Sequence, residues 1–322
     1  MEMRRLGRTG LKVAPLCLGG NVFGWSADEG ASFAVLDAYT EGGGNFVDSA
    51  DIYSRWAEGH SGGESETVLG KWMAARGSRH NTVVATKVGG PMSDDPNDTG
   101  LSRIHIVAAV EDSLRRLQTD YIDLYQSHFD DFTTPPDETM RAYDDLVSQG
   151  KVRYIGASNF SAWRLTKTLW ESDKRGYVRY DSIQPVYSLV NRAEYERELE
   201  GLCRAEEIGV IGYSSLASGF LSGKYRREGE MPSSVRASGV QKRYMNDKGF
   251  AVLDAVESVA RDHGATPAQV ALAWLIARPG VTAPIASATT AEQTKELLGA
   301  VDLMLSPESI EMLDKASAWK EG

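Results

Sequence analysis

Cysteine is scarce in this chain, and its scarcity excludes one class of small domain. Only Cys17 and Cys203 occur among 322 residues, and each lies within an apolar pattern. Two cysteines cannot form the several bridges that hold disulfide-rich secreted domains together. We expect both to be buried free thiols, and we expect the chain to work in the reducing cytoplasm.

Long apolar runs and an excess of basic residues are also missing. No stretch approaches the roughly 18 apolar residues that a membrane-spanning helix needs. The basic start of the chain, MEMRRLGRTG, is not followed by the apolar segment of a signal peptide. The formal net charge is −10, whereas a nucleic-acid surface needs clustered Lys and Arg. We therefore expect neither a membrane span nor a nucleic-acid partner.

Two familiar site patterns are absent as well. No Gly-x-Gly-x-x-Gly stands between an apolar strand and a helix, which disfavours a Rossmann domain. The five histidines show no His-x-x-x-His spacing, and only His128 follows an apolar run directly. We therefore expect no metal site in this chain.

What the chain does have is a regular alternation of short apolar runs with amphipathic stretches. Most of the runs are continuously apolar, which is typical of parallel strands buried on both faces. Gly77 and Gly150 stand where helices are expected to end. The predicted strands cover residues 15–19, 45–48, 83–88, 122–127, 152–157, 182–184, 210–213 and 281–285. The predicted helices between them include residues 31–41, 65–76, 103–117, 136–149, 163–171 and 268–277.

Eight strand–helix units without a break in composition predict an α/β fold. The pattern favours a (β/α)8 TIM barrel that forms a single domain over residues 1–322. A doubly wound open sheet is the alternative architecture.

Three segments do not fit the repeat of strand and helix. Residues 1–14 resemble a β-hairpin, with its turn at Arg8-Thr9-Gly10, that caps the N-terminal end of the barrel. Residues 216–246 are rich in Gly, Ser, Arg and Lys, and we expect them to form a long loop. Residues 302–322 are expected to add an extra C-terminal helix, which Ser306 caps.

Polar side chains follow the predicted strands at their carboxyl ends, where a barrel carries its active site. Asp48 ends the second strand, Lys87 ends the third and His128 follows the fourth, with Tyr53 a few residues after Asp48. Taken alone, Asp48 is more commonly a helix cap and His128 a structural hydrogen-bonding residue. Lys87 is harder to explain in this way, because burying an ammonium group costs several kcal/mol unless an anion meets it. Asp48, on the neighbouring strand, is the natural counter-ion.

Together these four side chains suit the reduction of a carbonyl group. Hydride addition leaves negative charge on the carbonyl oxygen, and a proton donor must neutralise it. We expect the Lys87 cation to lower the pKa of Tyr53 from its usual value of about 10, and Asp48 to hold Lys87 in place. A neutral His128 would donate a hydrogen bond to the carbonyl oxygen.

Three blocks of the sequence resemble the signature of the aldo-keto reductase family. The first is NFVDSADIY at residues 45–53 with GESE at residues 63–66, and the second is LRRLQTDYIDLY at residues 114–125 with His128 after it. The third is GKVRYIGASNF at residues 150–160. The likeness runs in order through most of the chain. It is closest in style to the bacterial branch that also includes the β-subunits of voltage-gated potassium channels.

The resemblance implies a catalytic role for each of the four polar side chains. Tyr53 would be the general acid/base, Lys87 and Asp48 would tune it, and His128 would orient the substrate.

The resemblance also implies a nicotinamide cofactor and the residues that hold it. Ser158, Asn159 and Gln184 would hydrogen-bond the nicotinamide carboxamide, and Tyr213 would stack on the ring. The remaining residues that it implies around the cofactor are Gly20, Asn21, Ser214, Leu216, Gly219, Leu221, Gly223, Lys224, Ser287, Ala288, Thr289 and Gln293.

The chain departs from the family pattern after the eighth strand. Thr290 and Gln293 are expected to form a capping box, so that a helix N-terminus faces the strand end. That is a suitable place for the adenosine 2′-phosphate of NADPH. Many members of the family have an Arg where Thr289 stands, which would bind this phosphate in a bidentate manner. NADPH is the expected cofactor, and use of NADH stays open as an alternative.

The expected substrate is a small-molecule carbonyl compound, and the sequence does not choose between an aryl aldehyde and a sugar. The pocket rim is expected to come from residues 21–25, Arg55, Trp56, residues 129–132 and residues 225–245. Two other functions stay open: a cofactor-sensing regulatory partner with slow turnover, and a barrel hydrolase or isomerase that needs no nicotinamide. No feature of the sequence specifies an oligomeric state.

Overall fold

A computed structural model describes residues 1–228, 231–232 and 236–319 of the chain. A short β-hairpin lies at the N-terminal end. Strand β1 (Arg4–Arg5) pairs antiparallel with β2 (Lys12–Val13). The Leu6 N–H donates to Leu11 O at 3.0 Å across the predicted turn. Leu6 and Val13 belong to the apolar cluster inside the barrel. The predicted hairpin cap is therefore confirmed.

The main sheet of the described residues has eight parallel strands. They are β3 (Cys17–Gly19), β4 (Phe46–Asp48), β5 (Val83–Val88), β6 (Ile122–Ser127), β7 (Val152–Ser158), β8 (Ser182–Gln184), β9 (Gly209–Val210) and β10 (Ile285–Ala286). Neighbours follow the order β10-β3-β4-β5-β6-β7-β8-β9.

The two ends of this series also meet. Val210 forms a parallel bridge with Val281, and the Ile285 N–H donates to Gly212 O at 2.7 Å. These bonds close the sheet, and the predicted (β/α)8 barrel is confirmed.

Helices surround this barrel. Those of the described residues are α1 (Glu29–Glu41), α2 (Glu64–Arg76), α3 (Arg103–Leu117), α4 (Pro136–Ser148), α5 (Ala162–Arg175), α6 (Ala193–Glu196), α7 (Leu199–Ala205), α8 (Ala237–Tyr244), α9 (Asp247–His263), α10 (Pro267–Ala277), α11 (Ala291–Leu298) and α12 (Pro307–Ala316). The extra C-terminal helix is α12, and the Ser306 side chain caps it by accepting from the Ser309 N–H. Within the described ranges, no helix has the length and apolarity to cross a membrane.

Prolines shorten two of the predicted strands. Proline has no N–H to donate to a strand ladder, so regular pairing usually starts after it. The strand predicted over residues 15–19 begins only at Cys17, after Pro15. The strand predicted over residues 281–285 is reduced to the bridge at Val281 and to β10, which begins directly after Pro284.

The long loop predicted over residues 216–246 is wrong for the part that the structure describes. A 3-10 segment covers Ala217–Ser222, and α8 follows it. Val240 and Tyr244, one helical turn apart, are buried, so tertiary packing overrides the weak helix propensity of a Gly- and Ser-containing segment. Residues 229–230 and 233–235 of the predicted loop lie outside the described residues, as do residues 320–322 of the predicted terminal segment.

An apolar layer fills the N-terminal half of the barrel interior, and we call it the barrel floor. It consists of Leu6, Val13, Cys17, Phe46, Val83, Ala85, Leu124, Ile211, Ala283 and Ile285. Burial of one such large side chain contributes about 1.5–3 kcal/mol. Cys17 and Cys203 are both buried and free, as predicted.

Candidate active site

A cluster of three polar side chains, of which Asp48 and Lys87 are buried and Tyr53 is partly buried, lies at the carboxyl end of β4 and β5. Asp48 pairs in register with Ala85, and Lys87 is the next residue of β5 on the same inward face. Lys87 Nζ lies 2.7 Å from Asp48 Oδ2, 2.8 Å from Ser49 O and 2.8 Å from Tyr53 Oη. Lys87 is fully buried, and Asp48 is 2% exposed. The predicted pairing of Lys87 with Asp48 is therefore confirmed as a contact.

The Tyr53 hydroxyl takes part in two hydrogen bonds within this cluster. It accepts from Lys87 Nζ and donates to Asp48 Oδ2, at 3.1 Å. Burial raises the pKa of Tyr53 well above its usual value, and the Asp48 carboxylate raises it further. The expectation of a Tyr53 pKa below its usual value is wrong for this structure, because burial and the adjacent Asp48 carboxylate both disfavour the phenolate. Tyr53 is therefore a neutral phenol near pH 7, the form that can donate a proton.

His128 lies beside this cluster, directly after β6. Its ring centroid is 5.9 Å from that of Tyr53. The backbone N–H of His128 donates to Val88 O at 2.8 Å. Burial lowers the pKa of His128 well below its usual value, and the Lys87 charge lowers it further. The imidazole is therefore neutral near pH 7, as the sequence analysis expected.

Asp48 makes further bonds on the opposite side of its carboxylate. Gln184 Nε2 donates to Asp48 Oδ1 at 2.8 Å, and Gln126 Nε2 lies 3.4 Å from the same oxygen. Gln184 was predicted from the sequence, whereas Gln126 was not. A polar residue within IDLYQS, which also contains Asp123 and Ser127, gives no distinct signal. Only its hydrogen bond to Asp48 inside the barrel identifies Gln126.

The four residues assigned to the nicotinamide are linked by hydrogen bonds, and one of them, Asn159, bonds to His128. The Ser158 hydroxyl donates to Gln184 O at 2.9 Å, and Asn159 Nδ2 donates to His128 O at 2.9 Å. The Tyr213 hydroxyl donates to Asn159 Oδ1 at 2.8 Å. The structure thus brings Ser158, Asn159, Gln184 and Tyr213 together at one edge of the polar cluster.

The segment after β9 has a backbone suited to an anion. Positive φ angles recur at Ser214, Ala217, Ser218, Gly219 and Gly223. Successive residues that alternate between helical and left-handed conformations turn their N–H groups toward one side, which makes a concave anion site. Leu216 directly precedes the 3-10 segment, and the buried Leu221 lies within it.

Lys224 follows this segment, and Arg236 adds a second positive charge. Burial lowers the pKa of Lys224, and the charge of Arg236 lowers it further. Arg236 was not predicted from the sequence, because its own stretch carries no recognisable pattern. The backbone and these two cations fit the phosphates of a dinucleotide.

The remaining predicted cofactor residues lie where β10, β3 and α11 meet. The Ser287 hydroxyl donates to Asn21 Oδ1 at 2.6 Å, and Ala288 is buried beside it. The Gly20 N–H donates to Asp48 O at 2.7 Å. A Cβ atom at Gly20 would lie only 2.9 Å from that carbonyl, so the position requires glycine.

The capping box predicted at α11 is only half correct. The Gln293 N–H donates to Thr290 Oγ1 at 3.3 Å, which is the expected cap. The Gln293 side chain, however, accepts from the Thr289 N–H at 2.9 Å instead of from Thr290. The Gln293 side chain thus bonds to the backbone of Thr289, one residue before the N-cap of α11.

Aromatic side chains border the polar cluster on two sides. Trp56 makes an edge contact with Tyr53, with centroids 5.8 Å apart, and another with Trp25 at 5.5 Å. Phe129 stacks on His128, with centroids 4.3 Å apart and planes 9° apart. Trp56 is 52% exposed, Phe129 45% and Phe132 70%. We call Trp25, Trp56, Phe129 and Phe132 the aromatic rim.

Comparison with known proteins finds similarity over nearly the whole chain. The model of the aldo/keto reductase family matches residues 15–318. The chain is 40% identical to the uncharacterized oxidoreductase YrpG of Bacillus subtilis, over 98% of this chain and 95% of that protein. It is 34% identical to a probable voltage-gated potassium channel subunit beta of Oryza sativa subsp. japonica, over 98% and 96%. It is 31% identical to the norsolorinic acid reductase of Aspergillus flavus, over 97% and 80%.

Proposed function

Because the chain belongs to the aldo/keto reductase family, we propose that it reduces an aldehyde or ketone to the alcohol with NADPH, with Tyr53 as the general acid/base. Family membership makes it an NAD(P)H-dependent oxidoreductase that acts on small carbonyl compounds. The observation that carries the finer proposal is the contact of Tyr53 Oη with Lys87 Nζ at 2.8 Å and with Asp48 Oδ2 at 3.1 Å.

This geometry suits proton donation to an oxygen that gains negative charge. The cofactor supplies the hydride, and the protein supplies the proton and the orientation. Tyr53 stays protonated near pH 7 because its pKa is raised. When the phenol gives up its proton, Lys87 Nζ already points at the oxygen and stabilises the phenolate. His128, neutral and adjacent, holds the carbonyl oxygen by a hydrogen bond.

NADPH is proposed as the cofactor from the place available for its 2′-phosphate. The positive-φ segment from Ser214 to Gly223 and the Lys224 cation would hold the pyrophosphate, which NADH also carries. The preference for NADPH rests on the N-terminus of α11, capped by Thr290, as the place for the 2′-phosphate. Arg236 adds positive charge in a chain whose net charge is −10. We expect NADPH to bind at least about tenfold more tightly than NADH, since each charge-assisted hydrogen bond contributes about 1.5–3 kcal/mol. Equal dissociation constants, measured by quenching of tryptophan fluorescence, would contradict this assignment.

The aromatic rim indicates which carbonyl compounds fit. Trp56 contacts Tyr53 and Phe129 stacks on His128, and both present a partly exposed ring. Arg55 donates to Met92 O, and Arg164 forms a buried pair with Asp130 at 2.7 Å, so these two nearby cations are already engaged. We therefore propose a carbonyl attached to a flat apolar group, such as an aryl aldehyde, in preference to a sugar phosphate.

Removal of one rim side chain tests the proposed substrate class. Trp56→Ala should raise the KM for an aryl aldehyde up to about tenfold, because an aromatic ring contact is worth about 0.5–1.5 kcal/mol, and should leave the KM for a short aliphatic aldehyde nearly unchanged. Trp170→Ala is the matched control, since Trp170 is 56% exposed and lies on α5 near its C-terminal end. Equal effects of Trp56→Ala on both aldehydes would contradict the proposal.

The second candidate function is a cofactor-sensing regulatory protein with slow turnover. The relative from Oryza sativa subsp. japonica that is named a channel subunit is the observation that favours it. A turnover far below about 1 per second with every aldehyde tested, together with tight NADPH binding, would favour this function over the enzyme.

Tyr53→Phe tests the reductase directly. The variant should lose about 10²- to 10⁴-fold in kcat for NADPH-dependent aldehyde reduction, the usual contribution of a positioned acid. Its dissociation constant for NADPH should stay unchanged, which shows that the site is still folded. Turnover close to that of the parent protein would refute the role of Tyr53. The cytoplasmic location and the extent of the single domain over residues 1–322 remain predictions.

A further inference from the structure

Gln126 is a buried polar side chain that the proposed reaction does not itself use. It lies on β6, two residues before His128, and is fully buried. Leu124 lies two residues earlier on the same inward face of β6 and belongs to the apolar barrel floor. A carboxamide in this place loses its hydration and needs protein partners to replace it. Its partners therefore indicate what the residue does.

The partners of Gln126 are Asp48 and Gln184. Gln126 Nε2 and Gln184 Nε2 both donate to Asp48 Oδ1, at 3.4 Å and 2.8 Å. Gln184 Nε2 also donates to Gln126 Oε1 at 3.4 Å. The two carboxamides are thus bonded to each other and to Asp48 Oδ1. The other carboxylate oxygen, Oδ2, accepts from Lys87 and Tyr53.

We propose that Gln126 is a positioning residue that, together with Gln184, fixes the orientation of the Asp48 carboxylate and thereby the placement of Lys87 and Tyr53. This inference rests on the proposed function. A carboxylate turns readily about its bond to Cβ unless both oxygens are held. Two donors on Oδ1 hold one oxygen, so Oδ2 stays between Lys87 Nζ and the Tyr53 hydroxyl.

The backbone opposite Gln126 leaves room for this orientation. Gly156 of β7 pairs in register with Gln126. A Cβ atom at Gly156 would lie 3.2 Å from Gln126 Cγ and 2.4 Å from Ser182 Oγ. The absence of a side chain at this position thus lets the Gln126 carboxamide extend across the barrel toward Asp48.

Two substitutions of Gln126 separate a positioning role from a merely structural one. Gln126→Leu keeps the volume and removes the donor. We expect kcat for aldehyde reduction to fall about tenfold at every pH between 5.5 and 8.5, because a hydrogen bond to a charged group is lost. The KM for the aldehyde and the dissociation constant of NADPH should change less than twofold.

Gln126→Glu is the conservative variant, and its behaviour depends on pH. When protonated, the introduced carboxyl donates the same hydrogen bond to Asp48. When ionised, it faces Asp48 with a like charge. We expect kcat close to that of the parent at the acid end of the range, with any loss growing as the pH rises.

Ser127→Ala is the matched control on the same strand. The Ser127 hydroxyl contacts the hydroxyls of Tyr143 at 2.9 Å and Tyr180 at 2.6 Å, on the outward face of β6. Its loss should lower the melting temperature without changing the pH profile of kcat.

Two results would overturn the positioning role. One is a Gln126→Leu variant with kcat within twofold of the parent. The other is an equal, pH-independent loss in both Gln126 variants that follows their melting temperatures. If Tyr53→Phe also retains full activity, the proposed function has failed. If Tyr53→Phe is inactive and Gln126→Leu is fully active, only the role of Gln126 has failed.

Discussion

The two ends of the barrel interior are built from the same strands but from opposite kinds of side chain. On β4, Phe46 lies in the barrel floor and Asp48 lies at the mouth. On β5, Ala85 lies in the floor and Lys87, the next inward-facing residue, lies at the mouth. A single step of two residues along a strand therefore changes the interior from apolar to charged.

This contrast teaches how a buried charged site is tolerated. At the barrel floor, the side chains are apolar and need only to pack against one another without cavities. At the mouth, each polar group needs a partner, and all three donors of the Lys87 ammonium are used. We therefore expect substitutions at the mouth to affect catalysis more than those at the floor, which should affect stability alone.

The largest effect is expected from breaking the charged pair at the mouth. Lys87→Met leaves Asp48 buried without its counter-ion, so kcat should fall about 10³-fold and the free energy of unfolding by about 3–5 kcal/mol. Steady-state kinetics and urea unfolding measure the two losses. Lys71→Met is the control, because Lys71 pairs with Glu29 at 2.6 Å on the exposed surface. A similar loss in both variants would contradict the distinction between buried and exposed pairs.

At the floor, the loss should fall on stability alone. Phe46→Ala leaves a cavity in the apolar layer and should lower the free energy of unfolding by about 3–5 kcal/mol. Because Phe46 contacts no reacting group, kcat per folded molecule should stay within about twofold of the parent. Phe46→Leu should lose less stability than Phe46→Ala. A large fall in kcat for folded Phe46→Ala would show that the two ends are not independent.

A smaller effect is expected at Asp51, beside the mouth. Burial raises the pKa of Asp51 well above its usual value, and the Glu66 carboxylate raises it further, whereas Arg116 and Lys87 oppose this rise. The folded chain therefore holds a proton that the unfolded chain releases above about pH 4, so this residue costs stability as the pH rises toward its folded pKa.

Asp51→Asn removes this cost. Its gain in the free energy of unfolding over the parent should reach about 1 kcal/mol or more at pH 8 and be smaller at pH 5. Equilibrium urea unfolding at the two pH values measures the difference. No gain at pH 8, or a larger gain at pH 5, would contradict the assignment.

The smallest effect on stability is expected on the outside of the barrel, where two arginines contact the Tyr121 ring. Arg79 and Arg153 lie over the Tyr121 ring, at 3.8 Å and 3.9 Å from its centroid. Arg153→Ala removes one of these contacts and should lower the free energy of unfolding by about 0.5–1 kcal/mol. Arg153→Lys should recover part of the loss. The kinetic constants should not change, and any change in kcat would connect this surface with the mouth.

The contrast between the two ends also explains what the sequence could predict of the fold. The strands at residues 83–88 and 122–127 were predicted with the observed bounds, because burial on both faces makes them mainly apolar at their N-terminal ends. β10 was predicted poorly, since Pro284 interrupts its ladder. The helix α8 was missed because the burial of Val240 and Tyr244, rather than local propensity, stabilises it.

The same holds for the site. The contact of Lys87 with Asp48 follows from the cost of burying a lone ammonium group, so it could be predicted. The pKa of Tyr53 could not, because it depends on the short distance to Asp48 and on the desolvation of the phenol inside the barrel. Gln126 was missed because its role depends on its hydrogen bonds with Asp48 and Gln184, which lie on two other strands.

The most direct test of the account is a double-mutant cycle between Tyr53 and Lys87. We measure kcat/KM for NADPH-dependent reduction of one aryl aldehyde in the parent, Tyr53→Phe, Lys87→Met and the double variant. If Lys87 acts through the Tyr53 hydroxyl, the double variant should be no slower than the slower single variant, as expected for residues that act as a unit. Losses that simply multiply would contradict the coupling of the ammonium and the phenol.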